Sequence, residues 1–166
     1  MWFHKFRNLR LIAAFLTIFV YSRCSFEQKI HPDIAPVVEE FVRDAKRYGV
    51  EVDVSRLSSI DFDDIAFAED AVGLCLSLSV AVIPIPVKHS SKVVIRDVYD
   101  RDSYQFKALV YHELAHCLLY KGHSDDHSLM APTMHSECFY QRNWEPLLEE
   151  LFTGRKTLKS LLPCFL

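Results

Sequence analysis

One α+β domain, with a small mixed sheet, a buried central helix and a C-terminal helix, is the fold class the sequence predicts. Three observations carry that expectation. Apolar residues recur at helical spacing over residues 34–48 and 144–152; Val- and Ile-rich runs lie between these segments; and an apolar helical stretch spans 103–120. A chain of 166 residues is long enough for one core and too short for two comfortable ones.

The elements follow in order. Lys5, Arg7 and Arg10 precede an apolar run over 11–21, and no acidic residue appears before Glu27. A basic stretch followed by a short apolar one reads as a signal peptide or N-terminal membrane anchor over 1–24, with the folded domain over 25–166. As a helix the run is roughly 16 Å long, against a hydrocarbon core of about 30 Å, which favours a signal peptide over a span. Cys24 follows Tyr21-Ser22-Arg23, so lipidation there stays open beside ordinary cleavage or an uncleaved anchor. An exported protein is expected, whether periplasmic, secreted or membrane-anchored, with no long pro-segment between the signal and Ile34.

Val37, Val38, Phe41, Val42, Ala45 and Tyr48 make an amphipathic first helix that Gly49 stops. Val50, Val52 and Val54 alternate with Glu51, Asp53 and Ser55, the pattern of a half-buried strand. The run Asp61-Phe62-Asp63-Asp64 reads as a solvated loop. Residues 71–87 are almost wholly apolar and suggest one or two buried strands ending near Pro84 and Pro86. Val93-Val94-Ile95 reads as a short strand, 103–120 as the longest helix, 121–136 as a loop containing Gly122 and Pro132, and 144–152 as a last helix with Gly154 behind it.

Removing residues 1–24 takes four of the 19 basic residues and none of the 22 acidic ones, leaving 15 against 22 and a net charge of −7. That balance argues against a nucleic-acid partner. Four cysteines remain, Cys75, Cys117, Cys138 and Cys164. Two disulfides in any of three pairings, or four buried thiols, are open.

Chemistry concentrates in Tyr111-His112-Glu113-Leu114-Ala115-His116 and the residues after it. Histidines four apart stack on one helix face, which lets His112 and His116 reach a single Zn2+ ion. Glu113 lies beside the first of them and can act as general base toward a water at the metal. A catalytic zinc takes three protein ligands, and His123 is the leading third, since Gly122 lets the chain turn off the helix and bring the next residue back. His127, Asp125, Asp126 and Glu137 are competing ligands. Cys117 is about 100° around the helix from His116, pointing to the core or a disulfide partner. His4, His31, His89 and His135 show no ligand spacing.

His112 to His123, followed by Ser128-Leu129-Met130-Ala131-Pro132, resembles the metzincin signature of three histidines, a bend and a downstream methionine turn, and its Leu-Met-Ala-Pro segment is close to the Leu-Met-Tyr-Pro of matrixin-like members. The stretch is also similar to small bacterial metallopeptidase-like proteins. The resemblance covers residues 107–135 and departs in one place: six residues separate His116 from His123 where the family has five, and Leu119 stands where the family has glycine. It implies a zincin-like single domain, a zinc cofactor, a structural methionine-turn role for Met130 (Met134 being the weaker candidate) and hydrolysis of peptide bonds, with a peptide or protein as substrate and a monomeric enzyme. Such enzymes lay the substrate beside an edge strand, for which Val93 to Ile95 is the expected one. The alternatives are an exported zinc-binding or interaction module without turnover, and a hydrolase of cell-wall peptides.

Overall fold

The computed structural model describes residues 28–65, 71–78, 90–124 and 127–156. The segment read as a signal peptide or anchor lies outside these residues, as do His4, Cys24, Pro84, Pro86, His89, Asp125, Asp126 and Cys164.

The described residues form a mixed α+β fold with one small mixed sheet and three α-helices. The strands are β1 (Lys29–Ile30), β2 (Leu57–Phe62), β3 (Gly73–Leu78) and β4 (Ser90–Ile95), in the order β1-β2-β4-β3. β1 runs parallel to β2 and β2 to β4, whereas β3 is antiparallel to β4. The helices are α1 (Ala35–Arg47), α2 (Tyr104–Leu119) and α3 (Glu137–Thr153). Among the described residues no helix is long and apolar enough to cross a membrane.

α1 buries Val38, Phe41 and Ala45 and ends where Gly49 adopts φ 77°, as its sequence pattern predicts. The valine alternation does not become a strand. Val50, Val52 and Val54 are half-buried while Glu51, Asp53 and Ser55 are exposed, but the Asp53 carboxylate accepts the Ser55 N–H at 3.1 Å and turns the chain into a short 3-10 helix, Val54–Arg56. The strand that enters the sheet comes next. Its buried residues Leu57 and Ile60 are three apart because the register slips between Leu57 and Ser59, so it carries no period-two signal. Asp61 and Phe62, expected in a loop, belong to this strand.

β3 begins inside the apolar run, yet it is only partly buried, and Leu76 is 40% exposed. β4 lies between β2 and β3, with Val93 and Ile95 fully buried. Val93 to Ile95 is therefore an inner strand, and among the described strands the edge nearest the helical motif is β3.

α2 runs through the centre, packed on β3, β4, α1 and α3. Ser103 caps it, its hydroxyl accepting the Phe106 N–H at 3.0 Å. Glu137 completes that cap from α3, accepting the Tyr104 N–H at 3.0 Å and the Gln105 N–H at 2.9 Å. α3 starts at Glu137, seven residues before the expected 144, under its own cap Ser136. Trp144, Leu147, Leu148, Leu151 and Phe152 are buried as their spacing predicts.

A disulfide joins Cys75 of β3 to Cys117 of α2, with Cα atoms 5.6 Å apart and a sequence separation of 42. Closing a loop of that size stabilises the fold by about 4 kcal/mol in the chain-entropy account. Cys138 is also disulfide-bonded, so the alternative of four free thiols does not hold.

Candidate metal centre

Residues four apart on α2 bring the His112 and His116 rings to 4.5 Å between centroids, with their Nε2 atoms 2.9 Å apart. Each ring is held from behind. His112 Nδ1 donates to the Leu129 carbonyl at 2.7 Å, and His116 Nδ1 donates to the Lys121 carbonyl at 2.5 Å. A carbonyl only accepts, so each Nδ1 carries its ring's proton and each Nε2 presents a lone pair. Burial pushes the His112 pKa down to about 4, against the opposing pull of the Leu129 carbonyl, and burial lowers that of His116 as well. Both rings are neutral at pH 7, leaving two lone pairs facing each other. That arrangement is repulsive unless a cation sits between them, which is what the donor set of a metal site requires.

His123 completes the set. Its ring centroid is 5.2 Å from that of His112 and 4.9 Å from that of His116, and one ligand atom from each of the three lies within 4.8 Å of the others. The three histidines can hold a metal ion. His112 is buried, His116 half-buried and His123 exposed, so the centre opens toward solvent on the His123 side.

The bend that returns His123 is not made at Gly122. Tyr120 takes the left-handed conformation, φ 55° and ψ 34°, while the N–H groups of Tyr120 and Lys121 both turn back to the Ala115 carbonyl. The short loop is then fastened on each side of His123. Lys121 is held through its carbonyl by His116. Ser124 N–H donates to the Met130 carbonyl at 2.9 Å, and the Ser124 and Ser128 hydroxyls lie 2.6 Å apart.

Behind His112 runs the turn Ser128-Leu129-Met130-Ala131. Ala131 N–H donates to the Ser128 carbonyl at 3.3 Å and Met130 N–H to the Ser128 hydroxyl at 3.0 Å. Leu129 supplies the carbonyl that orients His112, and Met130 is buried in the core beside it. Met134 lines the cleft instead.

Glu113 is 4% exposed, and no hydrogen bond to its carboxylate is found among the described residues. Burial pushes its pKa up to about 8. With the three histidines it faces a cleft of about 780 Å³, walled on one side by β3 from Gly73 to Ser77 and on the other by Ala131 to Met134.

Two of the competing ligands fall away, while Asp125 and Asp126 lie outside the described residues. Glu137 is occupied in capping α2, and His127 is exposed with its ring against His135 and Phe139. Cys117 is turned into its disulfide. Sequence reasoning missed Gly73, which abuts Glu113, and the Leu129 carbonyl behind His112. A lone glycine inside the 71–87 run, in a chain with only four, was the available sign of a close approach; a backbone carbonyl leaves none. The chain has no significant match among protein-family models, curated proteins or solved structures.

Proposed function

We propose that this chain is an exported zinc peptidase with a metzincin-like centre: His112, His116 and His123 hold zinc, and Glu113 is the general base. The observation that carries the reading is the convergence of three histidines and one desolvated carboxylate on a cleft walled by an edge strand.

The donor set suits zinc. His112 and His116 would each offer zinc an Nε2 lone pair, the two atoms lying 2.9 Å apart, and His123 would supply the third imidazole nitrogen. The family's interval from bend to third histidine is three residues, and Tyr120 to His123 keeps it. The extra residue thus lengthens the helix, not the loop, which supports the resemblance and a zincin-like fold. The disulfide supports an oxidising compartment and hence export.

When bound, zinc supplies a Lewis acid that acidifies a water and polarises a carbonyl. The chain's own residues do the rest. The Nδ1 hydrogen bonds to Leu129 and Lys121 orient the imidazoles and raise the basicity of Nε2. Glu113, ionised beside a cation, takes the proton of the attacking water on a carboxylate oxygen and returns it to the leaving nitrogen, so that the C–N bond breaks to a free amine.

β3 offers the substrate its backbone. Arg96 N–H donates to the Val72 carbonyl at 2.8 Å. Antiparallel alternation then points the N–H and C=O groups of Gly73, Cys75 and Ser77 away from β4, toward an added strand.

The test is zinc content by elemental analysis of the purified chain, with cleavage of casein and of muropeptides assayed side by side. About one zinc per chain with cleavage supports the proposal, and the better substrate identifies the class. Folded protein that binds no zinc removes it, and zinc without cleavage of either substrate favours a binding module.

A further inference from the structure

A Cβ built on Gly73 would stand 2.5 Å from Glu113 Oε1, 2.7 Å from its Cγ and 2.8 Å from its Cδ, distances that real side chains do not show. The backbone at Gly73 is not left-handed, so what a side chain there would disturb is the placement of the Glu113 side chain and not the strand's conformation. Two residues along, on the same face of the strand, Cys75 is bonded to Cys117, the residue after His116. Among the described strands β3 has one neighbour, β4, and across the other side of the sheet face it meets α2. The covalent tie therefore sets how closely the strand approaches the helix that bears the site.

We propose that Gly73 is a positioning residue for Glu113, and that the Cys75–Cys117 disulfide holds Gly73 against it, so that strand and carboxylate form one gauge of the cleft width. The contact confines the Glu113 side chain to the rotamers that point along the cleft. The catalytic consequence rests on the peptidase reading above; the gauge itself does not.

Because the two elements are coupled, strain at Gly73 must appear in the disulfide. Reduction transfers two electrons and two protons from a dithiol, which closes to a cyclic disulfide, and leaves Cys75 and Cys117 as thiols. With the tie cut, β3 is free to retreat, so any group that crowds Glu113 favours the reduced form. The Gly73→Ala methyl is such a group, and Glu113→Ala removes the atoms it meets.

The experiment is a double-mutant cycle read on the thiol–disulfide equilibrium. The full chain, Gly73→Ala, Glu113→Ala and the double variant are equilibrated in dithiothreitol buffers, and the Cys75–Cys117 pair is quantified by alkylation and peptide mapping, separately from Cys138. Gly73→Ala is expected to shift the equilibrium toward the thiols by about tenfold, the scale of overpacking strain. In the Glu113→Ala background the same change should shift it less than about twofold. Equal shifts in both backgrounds, or none in either, would overturn the assignment. On the active enzyme, Gly73→Ala should lower kcat by about 10²-fold, as an ångström of misplacement does, with KM little changed and zinc content intact; a KM effect alone would assign Gly73 to substrate docking. An intact redox cycle in a chain that cleaves nothing would retain the gauge and reject the peptidase reading.

Discussion

The two faces of α2 handle buried polar groups in opposite ways. On the face toward α1 and α3 every such group meets a fixed partner. Tyr111 OH donates to the Asp44 carboxylate at 2.8 Å, Lys107 pairs with Glu40, and the Lys107 ammonium lies 4.6 Å from the Trp144 ring centre, with Tyr111 edge-on to the same ring. On the face toward β3, His112 and His116 direct their free nitrogens at each other, and Glu113 is buried with no described hydrogen-bond partner. Asp44 and Glu113 are both carboxylates under 10% exposed. One is matched and structural, while the other is desolvated and left facing a cleft. The difference marks the side of the helix on which buried polar groups are left without fixed partners, the side to which the proposed peptidase reading assigns chemistry.

The largest expected effect breaks the open face. Glu113→Gln should lower turnover by about 10²–10⁴-fold at unchanged zinc content, measured by peptide cleavage and elemental analysis; near-normal turnover would take Glu113 out of the mechanism. Tyr111→Phe breaks the closed face instead. It leaves the Asp44 carboxylate short of its buried donor and should cost about 1–3 kcal/mol in denaturant unfolding, with kcat of the zinc-loaded protein unchanged.

A pH series on the metal-free protein sharpens the contrast. Above pH 6.5 the folded and unfolded chains differ progressively less in the protonation of His112 and His116, whose pKa values burial lowers, so the slope there belongs mainly to Glu113, whose pKa burial raises from 4.5 to about 8. A raised pKa means that the folded chain keeps a proton the unfolded chain has lost. Stability therefore falls as pH rises from about 6.5 to about 8, by about 2 kcal/mol at 1.36 kcal/mol per unit. Between 4.5 and 6.5 the depressed His112 opposes it, since its contribution is lost as pH falls. Glu113→Gln should flatten the alkaline limb; an unchanged slope would show the carboxylate to be hydrated. The smallest effect is at the helix start, where Glu137→Ala should cost about 1 kcal/mol for the lost cap while zinc binding stays intact, separating a capping residue from a ligand.

The sequence by itself determined the local and the periodic: α1 and its Gly49 stop, α2 from the Ser103 cap to Tyr120, the buried side of α3, and the pairing of His112 with His116, because a helix repeat turns spacing into direction. Only the tertiary structure decided the rest. Val50, Val52 and Val54 alternate in burial without pairing, since a ladder needs a neighbour that local pattern does not supply. Among the described strands β3 rather than Val93 to Ile95 became the edge because strand order is a long-range property, and the choice of Cys75 for Cys117 follows from the same placement. The bend moved from Gly122 to Tyr120, where the packed helix runs one residue further and its last carbonyls still find donors. Glu137 left the set of ligands for the same reason that Gly73 joined the site: both are defined by what lies across from them in space, which spacing along the chain does not encode.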